Sequence, residues 1–174
     1  MDKHELMHSF GPITDWIVSK FCDPQIFTST LCYNILYLLF GPNPTRINKN
    51  YLPVILSHTP AGTSVDTLMH YSQLVQSGEF RQFDHGEKLN QAYYNSLQPP
   101  NYNLSQVTLP VALFWSAGDW LTDPRDVERL VCELPNVIHL HLVDDPEFTH
   151  LDFVWAVDAE ELVYRYIVQV LKEN

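Results

Sequence analysis

Basic side chains are in short supply in this chain of 174 residues, where 10 Lys and Arg stand against 21 Asp and Glu for a formal net charge of −11. Such a surplus of negative charge repels phosphate backbones and anionic membrane surfaces, which argues against nucleic acid as a partner. Long apolar runs are missing too. The strongest, Ile35 to Phe40 with its approach from Leu31, falls short of the roughly 20 residues that span a bilayer, so no transmembrane segment is expected. The opening Met1-Asp2-Lys3-His4-Glu5 lacks the apolar stretch of a secretory signal, and the chain as it stands carries no export address. Cysteine is reduced to three residues: Cys22 and Cys32 could close a small loop in an oxidising compartment, whereas Cys132 falls in a helical pattern where burial is expected. Glycine is scarce as well, with six residues at 11, 41, 62, 78, 86 and 118, no two of them four apart.

What is present is apolar and aromatic. Apolar residues make up 45% of the chain and aromatics 13%, enough for the packed core of one domain, and 12 prolines imply many irregular connections. The chain changes character near Gln98-Pro99-Pro100. Before it, helices are predicted over roughly 13–21 and 31–40. A better-specified helix opens at Thr63 or Ser64, with Val65, Leu68, Met69, Ser72 and Val75 on one face as a core stripe and Gly78 as a stop.

After the double proline, strand and helix alternate, the signature of a parallel sheet. Val111 to Trp115 reads as a buried strand ending in Ser116-Ala117-Gly118-Asp119. Asp123 before Pro124 caps a helix carrying Val127, Leu130, Val131 and Leu134. Val137 to Val143 returns as a strand, with Ile138, Leu140 and Leu142 on one face and His139 and His141 on the other, the histidines taken as solvated. Asp158 and Glu161 look like a capping box for a last helix with Ala159, Val163, Tyr166, Ile167 and Val170 on its apolar side. Two strands leave apolar edges unpaired, so more sheet is expected from a longer protein, unless the chain is a truncated product.

Catalytic groups of open parallel sheets gather at the carboxyl ends of strands. Asp119 ends the first strand and His150 lies in the loop after the second, the order in which an acyl-transfer triad of this architecture presents its acid and base after a serine. An aspartate at a strand end also serves as a turn former, and Asp123 is the nearest rival acid, although capping accounts for it. His4-Glu5-Leu6-Met7-His8 fits the zinc pattern H-E-x-x-H, which needs a helix and a third ligand, and His139 with His141 could share a metal; chance is the plainer account of both.

The longer motifs carry a resemblance. Ser57-His58-Thr59-Pro60-Ala61-Gly62-Thr63-Ser64-Val65, Phe80 to Asp84, Tyr102-Asn103-Leu104-Ser105, Gly118-Asp119-Trp120-Leu121-Thr122-Asp123-Pro124, Leu134-Pro135-Asn136 and His150-Leu151-Asp152-Phe153-Val154-Trp155-Ala156-Val157-Asp158-Ala159 follow one another from about Cys22 onward. In this the chain resembles the acid lipases, the family of gastric and lysosomal acid lipase, and its insect members in particular. The resemblance implies the C-terminal part of an α/β-hydrolase fold, with residues 1–100 as a mostly helical cap and 101–174 as the closing strands and helices of the core. It implies Asp119 as triad acid and His150 as triad base, a Cys22–Cys32 disulfide in the cap, a glycan at Asn103, and a neutral lipid ester at a lipid-water interface as substrate. A secreted or lysosomal destination follows from the same likeness; no cofactor and no metal are called for. Thr122 and Thr149 stand where relatives more often carry Ala and Asn, and neither is expected to touch the triad.

One departure is decisive for chemistry. The nucleophile elbow G-x-S-x-G requires two glycines four apart, and this chain has none. Ser64 after Gly62-Thr63 is the tempting substitute, but it sits at a helix start, where capping explains it. The serine is therefore expected upstream in a longer protein. The alternative is an inactive truncated homologue that binds lipid or a partner.

Overall fold

The computed structural model describes residues 5–6, 46–51, 54–55, 58 and 62–174. Cys22, Cys32, the helices expected over 13–21 and 31–40, and His4 and His8 lie outside the described residues. Among the described residues, contacts gather into two compact units: 5–6 with 62–104, and 46–58 with 105–174. No described helix is long and apolar enough to cross a membrane.

In the first unit, β1 (Glu5–Leu6) pairs antiparallel with β2 (Thr63–Ser64). Glu5 and Leu6 are thus strand, not the helix that a zinc site of the H-E-x-x-H type needs. Helix α1 (Val65–Ser77) follows directly. Ser64 Oγ accepts from Asp66 N at 3.1 Å, and Gly78, at φ 65°, closes the helix by donating to Leu74 O. A left-handed residue there suits glycine, which has no Cβ to clash. Ser64 is therefore a cap and not a nucleophile elbow. The expected core stripe is on the surface instead: Leu68, Met69 and Val75 are exposed. The helix docks through its polar side. His70 Nε2 lies 2.9 Å from Arg81 O, while Gln73 donates to Asp84 O and accepts from Asp84 N. These bonds serve backbone groups of an irregular segment that has few ladder partners. Beyond it, α2 (Glu87–Tyr94) carries the buried Asn90, whose amide accepts from His85 N and donates to Asp84 Oδ1 and Leu97 O.

The second unit is built on a strand-helix-strand repeat. Strand β3 (Val111–Trp115) and strand β4 (Val137–Leu142) are parallel, joined by α3 (Pro124–Glu133), which Asp123 caps by accepting from Arg125 N at 2.9 Å. A short helix α4 (Asp152–Trp155), a π-helical turn at Glu160–Tyr164 and helix α5 (Arg165–Glu173) complete it. The loop that leaves β4 supplies part of the core itself. Val143, Phe148 and Val163 form it, with Phe114, Phe153, Ala156, Leu162 and Ile167 packed around them. Phe148 is wholly enclosed and meets Phe153 edge to face, centroids 4.9 Å apart.

Three expectations are corrected in this unit. The alternation of β4 is as read, but its covered face is the histidine face. His139 and His141 lie opposite Ala112 and Phe114 in register, His141 packs on Tyr166 with centroids 4.3 Å apart, and its Nε2 lies 3.2 Å from Leu162 O, while Ile138, Leu140 and Leu142 are exposed. Alternation tells which residues share a face and is silent on which face gets covered. Asp158 forms no capping box; its Oδ2 accepts from Arg46 instead. Cys132 is exposed, on the outer side of α3.

Candidate active site

The turn after β3 and the loop after β4 are pressed together, and two residues of the first turn explain how. Ser116, fully buried, donates from Oγ to Phe148 O at 2.7 Å. Gly118 lies so close to the second loop that a Cβ on it would sit 2.7 Å from Pro146 O and 2.8 Å from Phe148 O. Only a residue without a side chain permits that approach. The sequence Ser116-Ala117-Gly118-Asp119 thus delivers Asp119 against the loop that carries His150.

The two residues meet. His150 Nδ1 lies 2.9 Å from Asp119 Oδ2, with the Asp119 side chain 6% exposed and the His150 side chain 46% exposed. An ionised carboxylate only accepts, so the Nδ1 position must hold the proton. In the neutral imidazole this leaves Nε2 as the basic nitrogen, on a ring that remains open to solvent. Asp119 is itself held: Oδ1 accepts from Leu121 N at 2.8 Å, and Oδ2 also accepts from Thr122 Oγ1 at 3.1 Å. The expectation that Thr122 would leave this acid untouched is therefore corrected. Asp123, the rival acid, is occupied by Arg125, whose side chain and backbone hold its carboxyl down to about 2.

The histidine loop has its own anchors. Asp152, buried at 1% exposure, reaches back to accept from Thr149 N at 2.7 Å and from Thr149 Oγ1 at 2.9 Å, while Asp152 N donates to Thr149 O. The bracket spans His150. Burial pushes the Asp152 carboxyl above its ordinary value, against the opposing pull of the Thr149 donors and of Arg46. Arg46 pairs with Asp145, and with Asp158 at 2.6 Å, and its guanidinium lies 5.6 Å from the centroid of Phe148. Its backbone accepts from Val157 N, and neighbouring Ile47 bridges to Ala156. A residue about a hundred positions upstream thus ties both ends of the histidine segment together.

Among the described residues no three His, Cys, Asp or Glu converge as metal ligands, so His139 and His141 have no third partner. Asn103 of the sequon is exposed. Sequence reasoning passed over Gly118, Ser116, Arg46 and Asp152. A glycine directly before the acid was the available signal for the first; long-range ion pairs leave none.

Comparison with known proteins gives this geometry its context. No family model matches the chain. It is 37% identical to human gastric triacylglycerol lipase over 174 residues, 99% of this chain and 42% of that protein. It is 36% identical to rat lysosomal acid lipase/cholesteryl ester hydrolase over 160 residues, 91% of this chain and 39% of the relative. With Lipase 1 of Drosophila melanogaster it shares 38% over 144 residues, 83% of this chain and 33% of the relative. The chain spans about two fifths or less of the length of these relatives. Aligned over most or nearly all of its own length with gastric and lysosomal lipases, the chain belongs to the acid lipase family.

Proposed function

We propose that this chain is the C-terminal part of an α/β-hydrolase that cleaves carboxylic esters of lipids, with Asp119 and His150 as the acid and base of a Ser-His-Asp triad. The observation that carries the reading is the Asp119–His150 pair itself: a buried carboxylate on the Nδ1 of an imidazole whose ring reaches solvent. The strand-helix-strand unit that presents the pair is then the closing part of the parallel sheet, and the described residues 62–100 belong to the cap. The serine lies outside the 174 residues, since no G-x-S-x-G occurs in them.

In the first half-reaction His150 Nε2 takes the proton of the serine hydroxyl as its oxygen attacks the ester carbonyl, and returns it to the departing alcohol. In the second half His150 repeats this on water, and the acid and serine are released. Asp119 fixes the Nδ1–H tautomer and stabilises the imidazolium that forms at each proton transfer. The likeness to gastric and lysosomal relatives supports triacylglycerol or cholesteryl ester as substrate, and a secreted or lysosomal destination.

The test is ester turnover by the full-length protein. His150→Ala lowers kcat by several orders of magnitude with lipid binding nearly intact. The 174-residue chain alone gives no burst with an activated ester, because covalent catalysis without a nucleophile has no first step. Unchanged turnover in His150→Ala, or a stoichiometric burst from the short chain, overturns the assignment. In the latter case the truncated form is itself a nucleophile, not a silent lipid-binding homologue.

A further inference from the structure

We infer that Thr122 is a positioning residue for the acid: its hydroxyl shares Asp119 Oδ2 with His150 Nδ1 and tempers the hydrogen bond between acid and base. The inference rests on the reading of Asp119 and His150 as an acid-base pair. Thr122 Oγ1 lies 3.1 Å from Asp119 Oδ2, the same oxygen that lies 2.9 Å from His150 Nδ1, whereas Leu121 N occupies Oδ1 at 2.8 Å. Because the carboxylate has no proton to give, the hydroxyl donates. Three donors from two loops then fix the carboxylate plane, and Oδ2 divides its electron density between an O–H and an N–H.

Two physical consequences follow. Leu121 N on Oδ1 and His150 Nδ1–H on Oδ2 by themselves hold the carboxylate plane, so Oδ2 stays aimed at the imidazole when the hydroxyl is removed. A second donor on Oδ2 also draws density away from the first, so the bond to Nδ1–H is weaker than a lone carboxylate oxygen would make it. Thr122 is half-buried, and its polar atom faces the acid, which makes the hydroxyl replaceable without opening the core. An alanine at this position would leave Oδ2 to the imidazole alone.

The experiment is nuclear magnetic resonance of the full-length protein with labelled histidine, following the His150 Nδ1–H proton in the parent, Asp119→Ala, Thr122→Val and Thr122→Ser. The parent should show this proton at low field, and Asp119→Ala should abolish it. Thr122→Val keeps the shape and removes the hydroxyl, and should move the resonance to still lower field, as the bond to Oδ2 strengthens. Thr122→Ser restores the donor and should return the resonance to the parental position. A Thr122→Val resonance that stays in place, moves to higher field or vanishes overturns this inference while leaving the acid-base pair standing. Absence of the low-field proton in the parent overturns the pair, and the role of Thr122 with it.

Discussion

At the scale of single residues, the site depends on contacts that are chemically modest and sterically strict. Asp119 and His150 were legible from their places at strand ends and from the motifs around them. What brings them within 2.9 Å is less conspicuous. Gly118 has loop backbone atoms from Pro146 to Phe148 where any Cβ would go, all under 3.0 Å. Backbone cannot yield as the tip of a flexible side chain can, so Gly118→Ala must push the histidine loop away. Overpacking of this kind costs about 1–3 kcal/mol. Chemical denaturation should show a loss in that range, and the low-field His150 proton should be weakened or lost. A variant with parental stability and an unchanged resonance would mean that the close approach is not what seats the loop.

At the scale of elements, local pattern and long-range packing divide the credit. Strands β3 and β4 and helix α3 were readable because their signals are local: an apolar run, an alternation, an Asp-Pro start. The fate of Asp158 was not, because a capping box and a partner for Arg46, 112 positions away, look alike in sequence. The stripe on α1 failed for a related reason: helical spacing names a face, but bonds from His70 and Gln73 decided which side docks. The buried Asp152 bracket beneath His150 gives this scale its prediction. Its carboxyl is raised in the folded state, chiefly by burial, so the folded chain holds this proton over a pH interval in which the unfolded chain has lost it. The stability contributed is therefore present below the unfolded value and lost as pH rises through the folded one. Asp152→Asn removes that dependence and can still accept from Thr149. Urea midpoints of the parent and of Asp152→Asn, compared from about pH 4 to about pH 7, should shift in favour of the variant as pH rises. A gap that is constant, or that moves in favour of the parent, contradicts the account.

At the scale of the whole molecule, Asp119 and His150 meet at the end of a sheet that has two parallel strands among the described residues. β3 and β4 leave Ile138, Leu140 and Leu142 in the open, and two parallel strands are fewer than an open sheet ordinarily holds. The resemblance to acid lipases was readable over most of the chain, since its motifs are contiguous. The anchoring of the histidine segment by Arg46 was not, since it joins residues far apart in sequence. The central claim is that Asp119 and His150 act as one device on a serine supplied by the rest of the protein. Groups that act as a unit are not additive: once the base is gone, the acid has nothing left to orient. The measurement is a double-mutant cycle on ester turnover in the full-length protein, with Asp119→Asn, His150→Ala and the two combined. The account predicts that each single change costs orders of magnitude in kcat and that the double variant is no slower than His150→Ala alone. Losses that simply add would show two residues contributing separately, and would contradict it.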